Sequence, residues 1–469
     1  MDDSIDRSRS TIASPAERAG SLRPLRRAQA AEAVALAILA AVGGAAAVAG
    51  AQPVTAGVLF VAGAAIAIRR PALVAPYVAV LLPVGFSITV IKGVEVPQLH
   101  AAVFGAAAGH LARLGWNRRE AELRPADWVF AAFVFGVALS GAGPGPRTVW
   151  LHNLALWGSL GVVFQCCSRV LANRAARRLL YLALAVAAVV EAVYAIVQYV
   201  SAAHGRFTRL GGAIVYPQPQ ATLEHPNALG AFLVLATLVL AGVALSERGR
   251  RRLLWFGGVA VAALGTVAPF SRGAWISLAA GAVALVIADR RHRRALGGTL
   301  AGLGLAAVAV AVLDGGALGA RLSSIANGGA SSLYGFRATL AHRAVDVIAA
   351  HPLTGAGRFS EVGTYAGRPT LATHPHDLLL GVGVFFGLPA ALAFAALLVL
   401  AFRGAWRACR TRGASAVEAS GVVAALVALV VNGLFEYPFW NTTWTVEIAL
   451  LLMLAVGLGR AGPTPRAAS

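Results

Sequence analysis

The residues best suited to chemistry lie in one polar segment of an otherwise apolar chain, residues 315–377. This segment ends in His374-Pro375-His376-Asp377, just before a long apolar run. A histidine at the edge of a membrane can take a proton from a hydroxyl group, because imidazole titrates near neutral pH. His374 and His376 are therefore the candidate catalytic bases. Two other interpretations stay open: the tetrapeptide could cap the next helix, or the histidines and Asp377 could bind zinc.

Arginine is the second residue type of interest, because its planar guanidinium binds phosphate oxygens bidentately and keeps its charge when partly desolvated. Arg272 opens an apolar run, which is a costly position unless an anion partners it or it reaches the lipid headgroups. Arg337 borders the apolar face of a predicted helix, and Arg209 adds positive charge to the link 201–227. Fixed arginines stabilise a departing diphosphate, so these three are candidate diphosphate ligands.

The helix that carries Arg337 is predicted from spacing alone. One helical face of residues 334–348 collects the apolar side chains, which are Phe336, Leu340, Ala344, Val347 and Ile348. Such a helix lies on a membrane surface or on the bundle. It should end before His351-Pro352, because the residue before a proline avoids helical backbone, and Gly355 and Gly357 should then let the chain turn.

Four further residues are candidates for acceptor binding or support: His225, Asn227, Asp377 and Glu436. Asn227 opens an apolar run and also fits the N-cap of that helix. Glu436 lies in the aromatic segment 435–440, which is typical of an interfacial belt, yet its carboxylate could orient a histidine or bind sugar hydroxyls. Asp377 could raise the basicity of a neighbouring histidine.

Composition indicates a membrane protein. The chain has 469 residues, of which 58% are hydrophobic and 13% charged, about half the charged fraction of a soluble domain. So much apolar surface needs the bilayer as its solvent. The net charge of +20 is split into short clusters between apolar runs, which is typical of orientation signals and excludes a nucleic-acid partner from the prediction.

The predicted fold class is all-α, a polytopic bundle of about 12–14 transmembrane helices with one large outer loop that contains short amphipathic helices. Apolar runs long enough to span, or nearly so with tilt, are counted along the chain. They are 31–50, 53–68, 71–90, 99–111, 128–139, 149–166, 179–200, 228–245, 253–270, 273–288, 296–313, 378–402, 417–434 and 444–459.

Arginine-rich links fall at every second connection, as the positive-inside rule requires. They lie at 69–70, 113–124, 169–178, 248–252, 289–294 and 403–412. We therefore expect a multi-pass protein of the inner (cytoplasmic) membrane with both termini in the cytoplasm. The segment 315–377 and the other candidate residues then face outwards.

Several chemistries leave no trace in the sequence. Neither a P-loop nor a dinucleotide fingerprint occurs, so nucleotide substrates and cofactors are not expected. The expected outer links contain no Asp-x-Asp motif, which argues against a divalent metal that handles a diphosphate. The three cysteines show no metal-site spacing. The substrate must therefore bring its own activated bond.

The order of these motifs resembles the O-antigen ligase and polymerase family over about residues 200–400. In chain order the motifs are Arg209, Gly212, His225-Pro226-Asn227, Ser271-Arg272-Gly273, Arg337, His351-Pro352-Leu353-x-Gly355-x-Gly357 and His374-Pro375-His376-Asp377. The resemblance implies a metal-independent, inverting glycosyltransferase. Its donor would be a glycan on undecaprenyl diphosphate at the outer face of the membrane, and its acceptor a sugar hydroxyl on a glycan or lipid core.

Residue roles carried over from the resemblance place the diphosphate on Arg272 and Arg337 and the base within the histidine pair. His376 is favoured, because the family places a histidine followed by asparagine there, whereas this chain has Asp377. Ligase, polymerase and protein-glycosylating activities differ only in the acceptor, and the sequence leaves that choice, the sugar and the linkage open.

The predicted organisation has four parts: a disordered cytoplasmic tail (1–28), N-terminal transmembrane helices (29–200), a ligase-like catalytic region (201–402) that includes the loop 315–377, and C-terminal transmembrane helices with a short tail (403–469).

A transporter or a flippase for lipid-linked glycans is the alternative. It would need charged or discontinuous sites near the middle of the membrane and internal repeats. A peptidoglycan polymerase is the third reading, and would need a catalytic carboxylate in an outer loop.

Overall fold

A computed structural model describes residues 52–83, 87–91, 94–201, 206–210, 213–223, 225–289, 291, 329–365 and 368–461. The predicted tail 1–28 and the predicted spans 31–50 and 296–313 lie outside the described residues. So does the C-terminal stretch 462–469.

Helices dominate the described part of the chain. In order they are α1 Gln52–Arg69, α2 Val74–Val80, α3 Gln98–Trp116, α4 Pro125–Leu139, α5 Arg147–Val170, α6 Arg174–Ser201, α7 Pro226–Ser246, α8 Gly249–Gly265, α9 Arg272–Ala288, α10 Gly329–Ala350, α11 Leu378–Cys409, α12 Ala414–Gly433 and α13 Thr442–Arg460.

Three antiparallel hairpins connect some of these helices. Their strands are β1 Ser87–Ile91 with β2 Val94–Pro97, β3 Arg206–Leu210 with β4 Ala213–Gln218, and β5 Glu361–Tyr365 with β6 Arg368–Ala372. The predicted span 71–90 is therefore wrong: α2 ends at Val80 and β1 follows. Pro83 cannot continue a helical hydrogen-bond ladder, and the β-branched residues 88–91 favour a strand.

Length and composition make six of the described helical stretches able to cross a membrane. They are Pro125–Ala142, Arg174–Ser201, Pro226–Ser246, Leu378–Cys409, Ala414–Gly433 and Thr442–Arg460. Shorter apolar helices accompany them at Val54–Arg69, Pro71–Val80 and Arg272–Ala288. The predicted all-α polytopic membrane bundle is confirmed.

Helix α7 is the centre of the bundle. Every residue of its apolar window is buried within the protein, so it contacts other helices rather than lipid. Glycines allow this close packing: a Cβ on Gly242 of α7 would lie 2.8 Å from the backbone of Gly421 on α12. Because α7 begins at Pro226, the residues just before it are held firmly at one end of the core.

Helix α11 is broken where the segment after α10 packs against it. Gly387 has φ +83° inside α11, two residues before Pro389. The freed backbone groups find partners in the neighbouring segment: Ala356 N donates to Val384 O at 2.7 Å, and Leu388 N donates to Pro352 O at 2.8 Å. A Cβ at Gly387 would lie 2.4 Å from Leu353 O, so only glycine fits there. This joint fixes α10 against α11.

The predicted amphipathic helix is confirmed as α10. Phe336, Leu340 and Ala344 are buried and pack with Val384 of α11. The helix ends at Ala350, directly before His351-Pro352 as predicted. Gly355 and Gly357 both have φ +63°, which confirms the predicted turn.

Candidate active site

The carboxylate of Glu436 organises the candidate site. This residue lies between α12 and α13 and is 3% exposed. Its Oε1 accepts a hydrogen bond of 2.5 Å from Nδ2 of Asn227, and its Oε2 lies 3.0 Å from Nδ1 of His376. A single buried carboxylate therefore connects the start of α7 with the histidine segment before α11.

Arg337 approaches the same carboxylate from α10. Its Nη2 lies 3.8 Å from Oε1 of Glu436, and its guanidinium lies over the ring of Phe435 at 5.6 Å from the centroid. The side chain of Arg337 is 26% exposed. Because the ion pair is long and the guanidinium is partly open, Arg337 keeps donor capacity for an incoming anion.

His374 and His376 lie against each other, with ring centroids 4.2 Å apart. His374 also stacks in parallel on Trp440 at 6.0 Å, and the same indole contacts the ring of His225 at 5.1 Å. Within the described part of the chain, Nδ1 of His374 is buried without a hydrogen-bond partner. Packing rather than hydrogen bonding therefore positions His374.

Burial and neighbouring charges determine the ionisation states of Glu436 and His374. Burial of Glu436 opposes ionisation, but the positive charges of His376 and Arg337 and the hydrogen bond from His376 outweigh it and lower the pKa of Glu436 to about 2. Burial and then the neighbouring His376 charge lower the pKa of His374 to about 4. At neutral pH the site holds an ionised Glu436 and a neutral His374.

This charge state determines which nitrogen of His376 can act. When His376 is neutral, an ionised carboxylate beside Nδ1 favours the tautomer with the proton on Nδ1, where it is donated to Glu436. The other nitrogen, Nε2, is then left with its lone pair and can accept a proton from a hydroxyl group. His376 also has φ +53°, a strained conformation for a non-glycine residue of the kind that clusters at functional sites.

The structure gives two of the candidate support residues, Asp377 and Asn227, specific partners. Asp377 is the N-cap of α11, where its Oδ1 accepts from Leu380 N at 2.8 Å. The capping interpretation of the tetrapeptide thus holds for Asp377, while Glu436 contacts His376. Asn227 is not an N-cap: His225 caps α7 by accepting from Asn227 N, which leaves the Asn227 side chain for Glu436. Pro226 was the available signal, since proline favours the position just after the cap.

Arg272 is the first residue of α9 and is partly exposed. The next residue, Gly273, faces Phe435: a Cβ on Gly273 would lie 3.6 Å from Cβ of Phe435. Since Arg337 lies over the same ring, Arg272 starts its helix beside the site. Arg209 lies on β3, opposite Ile214, and its side chain is outside the described structure.

The central residues of the aromatic segment 435–440 are buried, so the interpretation of the segment as an interfacial belt is wrong for them. Tyr437 is 2% and Phe439 8% exposed. Tyr437 stacks on Phe385 of α11 at 5.1 Å. These rings form an apolar wall behind the histidines. Sequence reasoning missed this role for Tyr437 and Trp440, because an interfacial belt and a buried apolar wall have the same aromatic composition.

Glu436 supplies a third potential metal-ligand atom beside His374 and His376, which the sequence did not identify clearly. One ligand atom each from His374, His376 and Glu436 lie within 4.8 Å of one another. The donor set suits zinc in type. However, Oε1 of Glu436 already faces the guanidinium of Arg337 and accepts from Asn227, so a cation would have to displace or repel that positive charge.

Comparison with known families gives one match in this region. Residues 257–395 match the model of the O-antigen ligase family, which confirms the resemblance predicted from the motifs. The matched stretch contains Arg272, Arg337, His374 and His376, whereas Glu436 lies beyond it. Comparison with curated proteins finds no match. The family match implies a glycosyl-transfer enzyme in O-antigen assembly, and the six apolar helices agree with a multi-pass membrane protein.

Proposed function

We propose, from the match of residues 257–395 to the O-antigen ligase family, that this protein transfers a glycan from undecaprenyl diphosphate to a sugar hydroxyl. The acceptor is a lipid core or a growing glycan. The observation that carries the proposal is the shared carboxylate of Glu436, which holds an anion-binding Arg337 and a basic His376 at one site.

The donor diphosphate binds at Arg337 and Arg272. Arg337 has a partly exposed guanidinium and only a 3.8 Å contact to Glu436, so a diphosphate oxygen can compete for it. Arg272 adds a second guanidinium at the N-terminus of α9, where the backbone N–H groups also favour an anion. Negative charge grows on the diphosphate as its bond to the anomeric carbon breaks, so both arginines bind the transition state more tightly than the ground state.

His376 accepts the proton of the acceptor hydroxyl at Nε2. The hydroxyl oxygen forms the new bond to the anomeric carbon from the face opposite the diphosphate, which leaves with the bonding electrons. The configuration at that carbon is therefore inverted. Glu436 stabilises the imidazolium that forms, because its carboxylate is ionised and lies 3.0 Å from Nδ1.

This mechanism uses no metal, because the arginines supply the positive charge that a divalent ion would supply at a diphosphate.

The proposed catalytic region needs the C-terminal part of the chain as well as residues 201–402, since Glu436 and Trp440 belong to the segment between α12 and α13. We place the site on the outer face of the inner membrane, with both termini in the cytoplasm, on the alternation of arginine-rich links.

The transporter or flippase alternative would use charged groups within the membrane. Glu191 of α6 is the clearest such group in the sequence, and its carboxylate accepts hydrogen bonds from the backbone and hydroxyl of Thr222. Glu191 thus closes the turn before α7, a structural role that a glycosyltransferase also needs.

The test is glycan transfer by the purified full-length protein in lipid nanodiscs, with a glycan-undecaprenyl diphosphate donor and a hydroxyl acceptor. Arg337→Ala and His376→Gln should each lower kcat by about 10²–10⁴-fold. Matched controls are Arg343→Ala and His342→Gln on exposed positions of α10, which should retain wild-type rates. Equal activity in a site variant and its control would overturn the proposal, and donor translocation without product would favour the flippase.

A further inference from the structure

A second candidate site lies at the opposite end of the bundle from the histidines. Helix α7 starts beside Glu436 and ends at Ser246, and its 21 residues rise about 30 Å. That length matches the hydrocarbon thickness of a bilayer. Around Ser246 the chain forms a cavity of about 730 Å³, so the two sites belong to opposite membrane surfaces.

Arginines dominate the wall of this cavity. Seven of them line it together with one carboxylate, Glu247; they are Arg174, Arg178, Arg248, Arg250, Arg251, Arg252 and Arg291. Two have carboxylate partners: Arg178 contacts Glu247 at 2.6 Å and Arg174 contacts Glu418 at 3.2 Å. No carboxylate of the described residues lies within ion-pair distance of Arg248 or Arg251. A concentration of positive charge remains that suits a multiply charged anion.

An apolar groove of about 720 Å³ continues from the cavity along α6 and α8. Arg178, Glu247 and Arg251 line both spaces. The groove wall consists largely of side chains such as Val186 and Val190 on α6 and Leu254 on α8, which are about half or more exposed. On transmembrane helices such exposed side chains face the acyl chains of lipids.

We infer that this cavity and groove together bind an anionic phospholipid with two phosphates in its headgroup. The arginine cavity takes the phosphates and the groove takes an acyl chain, since the two spaces join at Arg178 and Arg251. Basic pockets between transmembrane helices on the cytoplasmic side bind such headgroups. The predicted topology places these arginines on that side, so the ligand comes from the cytoplasmic leaflet.

Two glycines in the groove allow a clean test of the acyl-chain part. A Cβ added to Gly257 or Gly258 would meet no protein atom within 4 Å, so a leucine there fills the groove without disturbing the fold. Gly158 on α5 has the same open surroundings but does not line the groove. Gly258→Leu is therefore the test variant and Gly158→Leu its matched control.

The experiment is native mass spectrometry and lipid titration of full-length protein in phosphatidylcholine nanodiscs with added cardiolipin. Wild type, Gly158→Leu and an Arg403→Gln/Arg407→Gln control on α11 should bind one cardiolipin tightly. Arg248→Gln/Arg251→Gln and Gly258→Leu should each weaken that binding at least tenfold, with unchanged melting temperatures in lipid-free detergent.

Three outcomes would overturn the inference. Equal cardiolipin binding in test and control variants would mean that general surface charge attracts the lipid. Equal affinity for phosphatidylglycerol would remove the two-phosphate requirement. Displacement of cardiolipin by inorganic pyrophosphate at similar concentration, unaffected by Gly258→Leu, would identify a soluble anion as the occupant.

Discussion

Glu418 and Glu436 are both buried glutamates that contact arginine, yet their surroundings differ. At Glu418, on α12, the partner Arg177 of α6 is 1% exposed and contacts the carboxylate at 3.2 Å. Three further donors of Arg177 bond the carbonyls of Leu171 and Ala172 and the hydroxyl of Ser415. At Glu436 the partner Arg337 is 26% exposed and 3.8 Å away.

The comparison distinguishes a glutamate–arginine pair that stabilises the fold from one that we propose takes part in catalysis. At Glu418 the contact with Arg177 is closed to solvent, so this pair stabilises the contact between α6 and α12. A second partner, Arg174, is 44% exposed and adds to the same carboxylate from the surface. The Glu436 site is open on the side of Arg337 and includes a titratable partner, His376, which is 27% exposed. A group that must bind substrate and move a proton has to keep access and unused hydrogen-bonding capacity.

The largest expected effect comes from a substitution at Glu418, which removes the partner of the buried Arg177. Glu418→Ala leaves Arg177 buried without its carboxylate, which should cost about 3–5 kcal/mol of unfolding free energy. Thermal unfolding in detergent measures this loss, and the transfer rate per folded molecule should not change. Glu247→Ala is the control, because Arg178 is 42% exposed and such pairs contribute about 0–1 kcal/mol. A loss of no more than 1 kcal/mol in Glu418→Ala would contradict the structural assignment.

Glu436→Gln should have the opposite effect, because it should lower the transfer rate rather than the free energy of unfolding. The amide removes the charge that stabilises protonated His376, and we expect kcat to fall about 10²-fold. The KM for the donor should not rise, because Arg337 is freed from its carboxylate. Steady-state kinetics in nanodiscs separates the two parameters. A rise in KM at constant kcat would show instead that Glu436 serves donor binding rather than the base.

The smallest expected effect is a pH dependence of stability from His374. Its pKa is lowered to about 4 in the folded protein, mainly by burial, against about 6.5 in an unfolded chain. The unfolded state therefore binds more protons between these values, and stability should fall as the pH drops from about 6.5 to 4. The melting temperature of His374→Gln should depend less on pH in that window. A curve parallel to that of wild type and of the His342→Gln control would refute the burial of His374.

Local features of this molecule were readable from the sequence because they depend on neighbouring residues. The apolar face of α10, its end before His351 and the turns at Gly355 and Gly357 all follow from spacing and backbone preference. The family resemblance also rested on short local motifs. Both histidines were recognised because they interrupt an apolar chain.

Long-range contacts could not be read in the same way. Glu436 lies 60 residues from His376, and only the packing of α12 and α13 against α11 brings them together. Glu436 rather than Asp377 is the partner of His376, because the Asp377 carboxylate caps α11. The first hairpin escaped prediction because its β-branched run 88–91 was counted within the apolar run 71–90. The other two hairpins lie in polar links, where no apolar periodicity marked the strands.

We propose that arginine and histidine side chains, supported by Glu436 and without a metal ion, carry out transfer from a lipid diphosphate. The most direct measurement gives metal-stripped wild-type protein the glycan-undecaprenyl diphosphate donor and a hydroxyl acceptor, and then counts products in the presence of a chelator. The proposed mechanism predicts that one undecaprenyl diphosphate is released for each glycosidic bond formed, at the full rate. Transfer that stops without metal and returns with zinc would instead assign His374, His376 and Glu436 to a metal centre and contradict the account.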